Sequence, residues 1–122
     1  MQKKFLKSKL HGPRVTQADV NYRGSLTVDK DLIEAAGFNI FEMVKVINVD
    51  NGERFETYII EGERGSGVIG LNGGAAKKGS IGDRLIVISS VWIEEGNSFK
   101  VKIVLVTEDN RVDEIREEKL IF

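Results

Sequence analysis

The sequence predicts a small, mainly β domain: short strands curled into a compact barrel, with one or two short helices. Three observations carry that reading. Apolar runs rich in β-branched and aromatic residues recur along the chain, each bounded by Gly, Asn, Asp or Ser. Thirteen glycines stand against one proline, a composition suited to tight turns and close backbone crossings. Asn51-Gly52 lies between two of the runs and signals a hairpin, because the favoured two-residue turns need positive φ at their centre.

In chain order, "SKLHG" (8–12) is taken as extended, which puts Lys9 and His11 on one face. The helix comes next. In "VDKDLIEAAGF", Asp29 can cap the first turn, Leu32, Ile33 and Ala36 make an apolar stripe, and Gly37 suits the left-handed position after the last turn. Strands follow at "MVKVINV" (43–49), "RFETYII" (54–60), "RLIVISSVWI" (84–93) and "FKVKIVLV" (99–106). "GERGSG" reads as a surface loop and "LNGGAA" as a turn. The end, "TEDNRVDEIREEKLIF", predicts a solvated short helix or tail; the alternative is that its apolar tip docks onto a neighbouring subunit.

The totals narrow the function. A length of 122 residues predicts one domain, 1–122. Lys+Arg and Asp+Glu nearly cancel at 18 against 19, which argues against nucleic acid as a partner. No apolar run approaches membrane-spanning length and the N-terminus lacks a secretory h-region, so the expected location is cytoplasmic, without membrane attachment. With no cysteine and only His11, neither a transition-metal site nor a cysteine nucleophile is expected. A Ser-His-Asp arrangement would have to use His11, and no G-x-S-x-G elbow occurs. There is no P-loop and no G-x-G-x-x-G, since the glycines at 62, 65, 67 and 70 have other intervals.

Taken alone, Gly24-Ser25 reads as a turn, and its neighbours read as blandly: Arg54 as a hairpin residue, Tyr58 as a packing aromatic, Lys9 as a solvated charge, His11 as a turn residue. Their co-occurrence changes this. The stretches "KLHGPRVTQADVNYRGSLTVD", "EAAG", "NVDNGERFETYIIEGERGSGVIGLNGGAA" and "SIGDRLIVI", in this order and spacing, resemble the pyruvoyl-dependent aspartate 1-decarboxylases over about Lys9 to Val91.

The resemblance implies a zymogen that cleaves itself between Gly24 and Ser25 into a β chain (1–24) and an α chain (25–122). The Ser25 hydroxyl attacks the preceding carbonyl, and elimination followed by hydrolysis leaves a pyruvoyl group on the new N-terminus. A glycine at 24 is expected to spare the attack a Cβ and to permit a strained peptide. Thr57 is the implied oxyanion donor, with Asn72 as a second participant. The pyruvoyl ketone, a covalent cofactor needing no metal, would condense with the aspartate amino group as a Schiff base and act as electron sink. Arg54 and Lys9 are implied to hold the substrate's carboxylates and Tyr58 to return the proton. His11 and Tyr22 would shape the pocket, and Gly73, Gly74 and Ala75 would offer backbone N–H groups. Arg23 places an unusual cation beside the cleaved bond, and Gly74 stands where alanine is frequent.

The implied fold is a six-stranded double-psi β-barrel, assembled as a homotetramer with active sites between adjacent subunits. The implied reaction is decarboxylation of L-aspartate to β-alanine, a precursor of pantothenate and coenzyme A; a maturation-assisting protein is compatible with it. Two alternatives stand beside it: a pyruvoyl decarboxylase of another amino acid, and a non-enzymatic β-barrel binding module with Gly24-Ser25 intact. Strand geometry adds a constraint. In "RFETYII", Arg54 and Tyr58 share a face while Thr57 points the other way, so a bulge or twist would be needed to unite them.

Overall fold

Alternation fixes which side of each strand turns inward. The computed structural model describes residues 1–122 and contains β1 (Gln2–Arg14), β2 (Gln17–Asp19), β3 (Ser25–Asp29), β4 (Met43–Asn48), β5 (Arg54–Gly62), β6 (Ile69–Asn72), β7 (Arg84–Glu94), β8 (Ser98–Val106) and β9 (Val112–Ile121), with helix α1 (Lys30–Ala36) and a 3₁₀ turn at Gly73–Lys77. Val44 and Val46 of β4 are buried between exposed Met43 and Lys45, and Leu85 and Val87 of β7 repeat the pattern. With Leu10, Leu26, Val28, Ile59, Ile69, Leu71 and Val104 they form one apolar core.

The strands make a single mixed sheet in the order β2-β6-β3-β5-β4-β7-β1-β8-β9. The chain leaving β1 folds this sheet back on itself. Val15 N–H donates to the carbonyl of Asp83, just before β7, at 2.9 Å and Thr16 N–H to the carbonyl of Ile69 in β6 at 2.8 Å, which ties together β7 and β6, strands separated in the order. The mainly β class matches expectation, with nine strands where six were expected. The additional ones are short or lie at the rim, as β2 and the β8–β9 hairpin do.

The four strands expected from β-branched runs occur within a residue or two of the expected bounds, and β4 and β5 pair antiparallel across the Asn51-Gly52 connection. The segment after Val106 corrects the sequence reading. Val112–Ile121 is neither helix nor tail but a strand, exposed throughout and paired antiparallel to β8. Its acidic residues lie over a basic neighbour, with Glu117 opposite Lys102 and 3.8 Å from Lys100 Nζ. The apolar tip docks within its own chain: the Phe122 ring centroid is 5.1 Å from that of Phe5, which lies 5.2 Å from Phe99.

Helix α1 forms as its sequence dictates. The Asp29 side chain caps it by accepting from Asp31 N–H at 2.8 Å, Leu32, Ile33 and Ala36 are buried, and Gly37 takes φ 72° at the end, a conformation glycine adopts without a Cβ penalty. "GERGSG" is structural: Gly65 and Gly67 donate their N–H groups to Asp29 at 3.0 and 2.8 Å, and Arg64 clasps Asp31 and Glu34. Burial alone would raise the Asp29 pKa, but the N–H groups of Gly67, Asp31 and Gly65 outweigh it and hold the carboxyl below its ordinary range. A depressed carboxyl stabilises the fold above its unfolded pKa of about 4 and loses that contribution as pH falls through the folded value. Asp29→Ala should therefore destabilise the chain by about 2 kcal/mol near pH 7. Urea unfolding at neutral and acid pH checks this, and the gap to wild type should narrow on acidification.

Candidate active site

Ser25 opens β3, where it pairs with Asn72 of the antiparallel neighbour β6. Both are nearly inaccessible, Ser25 at 1% and Asn72 at 5% exposure. Asn72 Nδ2 donates to Ser25 Oγ at 2.9 Å and to Thr27 Oγ1 at 2.8 Å. An amide nitrogen has only two hydrogens, so Asn72 is committed to holding the serine oxygen rather than free to serve the Gly24 carbonyl. The Ser25 hydroxyl itself donates to the carbonyl of exposed Arg23 at 3.2 Å.

The close backbone approach lies at Gly73. This residue has φ 64°, and a Cβ on it would stand 2.8 Å from both Gly24 Cα and Gly24 N and 3.0 Å from the Tyr22 carbonyl oxygen. Only glycine lets the turn rest on the Gly24 peptide in this way. Gly24 itself departs from expectation: its φ is not in the left-handed region, and a Cβ there would meet nothing within 4 Å. The conformational demand has passed from the first residue of the pair to its neighbour across the site. Beside the pair opens a cavity of about 390 Å³ lined by Gly24, Thr57, Asn72, Gly74 and Ala75. Glu56 and Lys78 also border it, and sequence reading singled out neither.

The remaining candidates lie elsewhere. Across the sheet Arg54 pairs with Ile47, Ile47 with Ile86, and Ile86 with His11; Glu56, Lys45, Ile88 and Lys9 form the next rung, and Tyr58 pairs with Met43. Directly paired residues share a face, so Arg54, Tyr58, Lys9 and His11 occupy the outer side of β5-β4-β7-β1. Thr57 pairs with buried Val44 on the inner side. The β4–β5 register is continuous, so the bulge that would unite these residues is absent. One chain thus holds two groups on opposite faces of β5: Ser25, Thr57, Asn72 and the Gly73–Ala75 turn on one, Arg54, Tyr58, Lys9 and His11 on the other. Tyr22 is half exposed and reaches the first group through its carbonyl.

Two large apolar residues stand exposed at the Tyr58 end of the outer face. Phe41 is 72% exposed, holds φ 71° despite its bulk, and packs its ring 6.1 Å from that of Tyr58; Met43 beside it is 58% exposed. At the far end of this face His11 borders a cavity of about 220 Å³ with Arg14 and Arg84, and its Nδ1 is buried without a partner. Burial, then Lys9 and Arg84, depress its pKa, which keeps the ring neutral at neutral pH. No three His, Cys, Asp or Glu side chains gather as a metal would need, and no helix is long and apolar enough to cross a membrane.

These features define a class: a small, mainly β protein whose concentrated polar site surrounds a Gly-Ser bond with an exposed glycine and a buried serine. The chain belongs to the aspartate decarboxylase family, whose model matches residues 1–113. It is 50% identical over 118 residues to the aspartate 1-decarboxylase of Cupriavidus taiwanensis, covering 95% of this chain and 98% of that protein. It is 49% identical over 117 residues to the aspartate 1-decarboxylase of Desulfotalea psychrophila, covering 94% and 98%. Among solved structures, the rationally designed protein mkDPBB_sym_86 aligns with 66% of this chain and 94% of its own, at a TM-score of 0.48 and 17% identity.

Proposed function

We propose that this chain is the precursor of an aspartate 1-decarboxylase. It cuts itself between Gly24 and Ser25, and the mature protein, a cytoplasmic homotetramer, converts L-aspartate to β-alanine and carbon dioxide for pantothenate and coenzyme A synthesis. The observation that carries the reading is the buried Ser25 oxygen, clamped by Asn72 beside a Gly24 peptide against which Gly73 rests, in a member of this family.

Self-cleavage consumes only the chain's own atoms and one water. Ser25 Oγ bonds to the Gly24 carbonyl carbon, the C–N bond breaks as the hydroxyl proton passes to the Ser25 nitrogen, and an ester replaces the amide. Loss of the Ser25 Cα proton then breaks the Cβ–O bond and leaves Gly24 with a carboxylate. Water hydrolyses the nitrogen-bearing end, and ammonia departs. Asn72 fixes the attacking oxygen, and Thr57, on the cavity beside Gly24, is the donor suited to the oxyanion.

The residues around position 25 suit a pyruvoyl group: the hydroxyl oxygen leaves with Gly24, which would free an Asn72 Nδ2 hydrogen to donate to the ketone oxygen formed on the former Ser25 Cα. When present, that group supplies the electron sink for decarboxylation. The chain's own residues do the rest. Arg54 offers a planar fork and Lys9 a compact charge to the two carboxylates of the substrate, and the Tyr58 phenol returns a proton to the decarboxylated carbon. Since these three lie across β5 from Ser25, a complete site needs the outer face of a neighbouring copy. The exposed Phe41 and Met43 on that face supply apolar area for such a contact. This supports assembly with active sites between subunits.

Assay of purified protein against an amino-acid panel tests the substrate. Aspartate should be turned over and monocarboxylic amino acids should not; preference for a monocarboxylic amino acid would contradict the reading. The Gly73 contact tests the processing step separately. Gly73→Ala adds a methyl 2.8 Å from the Gly24 backbone at a left-handed φ, a combined overpacking and strain of about 2–4 kcal/mol. Most of the variant should remain uncleaved in denaturing mass spectrometry under conditions that process the wild type completely.

A further inference from the structure

We propose that Lys78 is a substrate-orienting cation of the Gly24 cavity, recruiting a carboxylate of the dicarboxylic amino acid from the same chain that contributes Ser25. The proposal rests on the decarboxylase reading above and adds a binding residue to it. Of the residues bordering the cavity, Lys78 alone is cationic; Glu56, the one acidic residue there, pairs with Lys45 on the outer side of β5. Without Lys78 the cavity would offer an incoming dicarboxylate no side-chain cation from the chain that carries Ser25. Arg54 and Lys9 do not relieve this within the chain, because they lie on the outer face of the sheet.

The backbone of Lys78 is anchored while its head group is loosely engaged. Its carbonyl accepts from Asn48 Nδ2 at 3.2 Å and Asn51 Nδ2 at 2.9 Å, and its N–H donates to the Ala75 carbonyl at 2.9 Å. Asn48 is fully buried and donates also to Asp83 at 2.9 Å, so the anchor is built into the core edge. The ammonium, by contrast, touches only Glu53, at 3.1 Å, and both side chains are nearly half exposed. Exposed pairs of this kind contribute little and exchange partners readily. A flexible lysine stem on a fixed Cα lets the charge leave Glu53 for a substrate carboxylate at the cavity mouth.

The test is steady-state kinetics on the full-length, self-processed protein, with the extent of cleavage read by intact mass. Lys78→Gln should process normally and raise KM for aspartate about tenfold, the scale of one charge-assisted contact, with kcat changed less than about twofold. Lys78→Arg should restore most of the affinity. The rise of KM with salt should be shallower in Lys78→Gln than in wild type, since one screened attraction is gone. A processed Lys78→Gln protein with wild-type KM would overturn the proposal, and so would a variant that fails to cleave, because Lys78 would then act on processing. If Lys78→Gln is insoluble, Glu53→Gln decides: removing the competing carboxylate should lower KM about twofold, and an unchanged KM overturns the assignment. Uncleaved wild-type protein, in contrast, would refute the decarboxylase reading itself.

Discussion

Replacing Ser25 by alanine should yield a full-length, folded chain with no decarboxylase activity. In the proposed self-cleavage the Oγ is the attacking atom and the oxygen that becomes part of the Gly24 carboxylate, so its removal should abolish the first bond-forming step rather than slow it. Folding survives because little else depends on that oxygen. Asn72 Nδ2 keeps Thr27 Oγ1 as an acceptor at 2.8 Å, and the flanking core residue Leu26 is untouched. Loss of one buried hydrogen bond costs about 1 kcal/mol, small beside the stability of a domain of this size. The variant should show a single mass by denaturing mass spectrometry, wild-type secondary structure by circular dichroism, and no β-alanine production. A cleaved, active Ser25→Ala protein would remove Ser25 from the account.

Tyr58→Phe has the opposite profile: complete cleavage, then turnover lowered by about 10²–10⁴-fold, the range for loss of a positioned proton donor. The separation follows from the sheet. Tyr58 pairs with exposed Met43 on the outer side of β5, whereas Thr57 beside it faces inward toward the Gly24 cavity. The phenol therefore has no access to the Ser25 hydroxyl of its own chain. Phenylalanine keeps the ring packed against Phe41 at 6.1 Å, so the change removes a proton and its oxygen without removing an aromatic surface. Single-turnover measurements on the processed variant would isolate the effect, and unchanged turnover would exclude Tyr58 as the donor.

What the sequence made readable, and what it hid, follows from where the information lies. β4, β5, β7 and β8 are announced by β-branched runs with a buried side, and α1 by its cap, stripe and terminal glycine. β1 is legible only in part, as the extended 8–12, because lysines crowd its first half and a register shift between Leu6 and Ser8 breaks its alternation. β9 escapes more completely: all its residues are exposed, so no apolar periodicity exists, and only long-range pairing with Lys-bearing β8 makes it a strand. In the candidate site, the opposition of Thr57 to Arg54 and Tyr58 follows from strand parity alone. The contact of Gly73 with Gly24 does not, since it depends on a turn from β6 arriving over the start of β3. Lys78 reads as an ordinary surface charge until that same turn carries it to the cavity.

The central claim is that the Gly24–Ser25 amide becomes an internal ketone. Intact mass under denaturing conditions, combined with N-terminal sequencing of catalytically active wild-type protein, tests it most directly. The account predicts a fragment of residues 1–24 and a fragment beginning at position 25 that resists sequencing and has lost its terminal nitrogen. An active preparation consisting of one unbroken polypeptide, with its only α-amine at Met1, would contradict it.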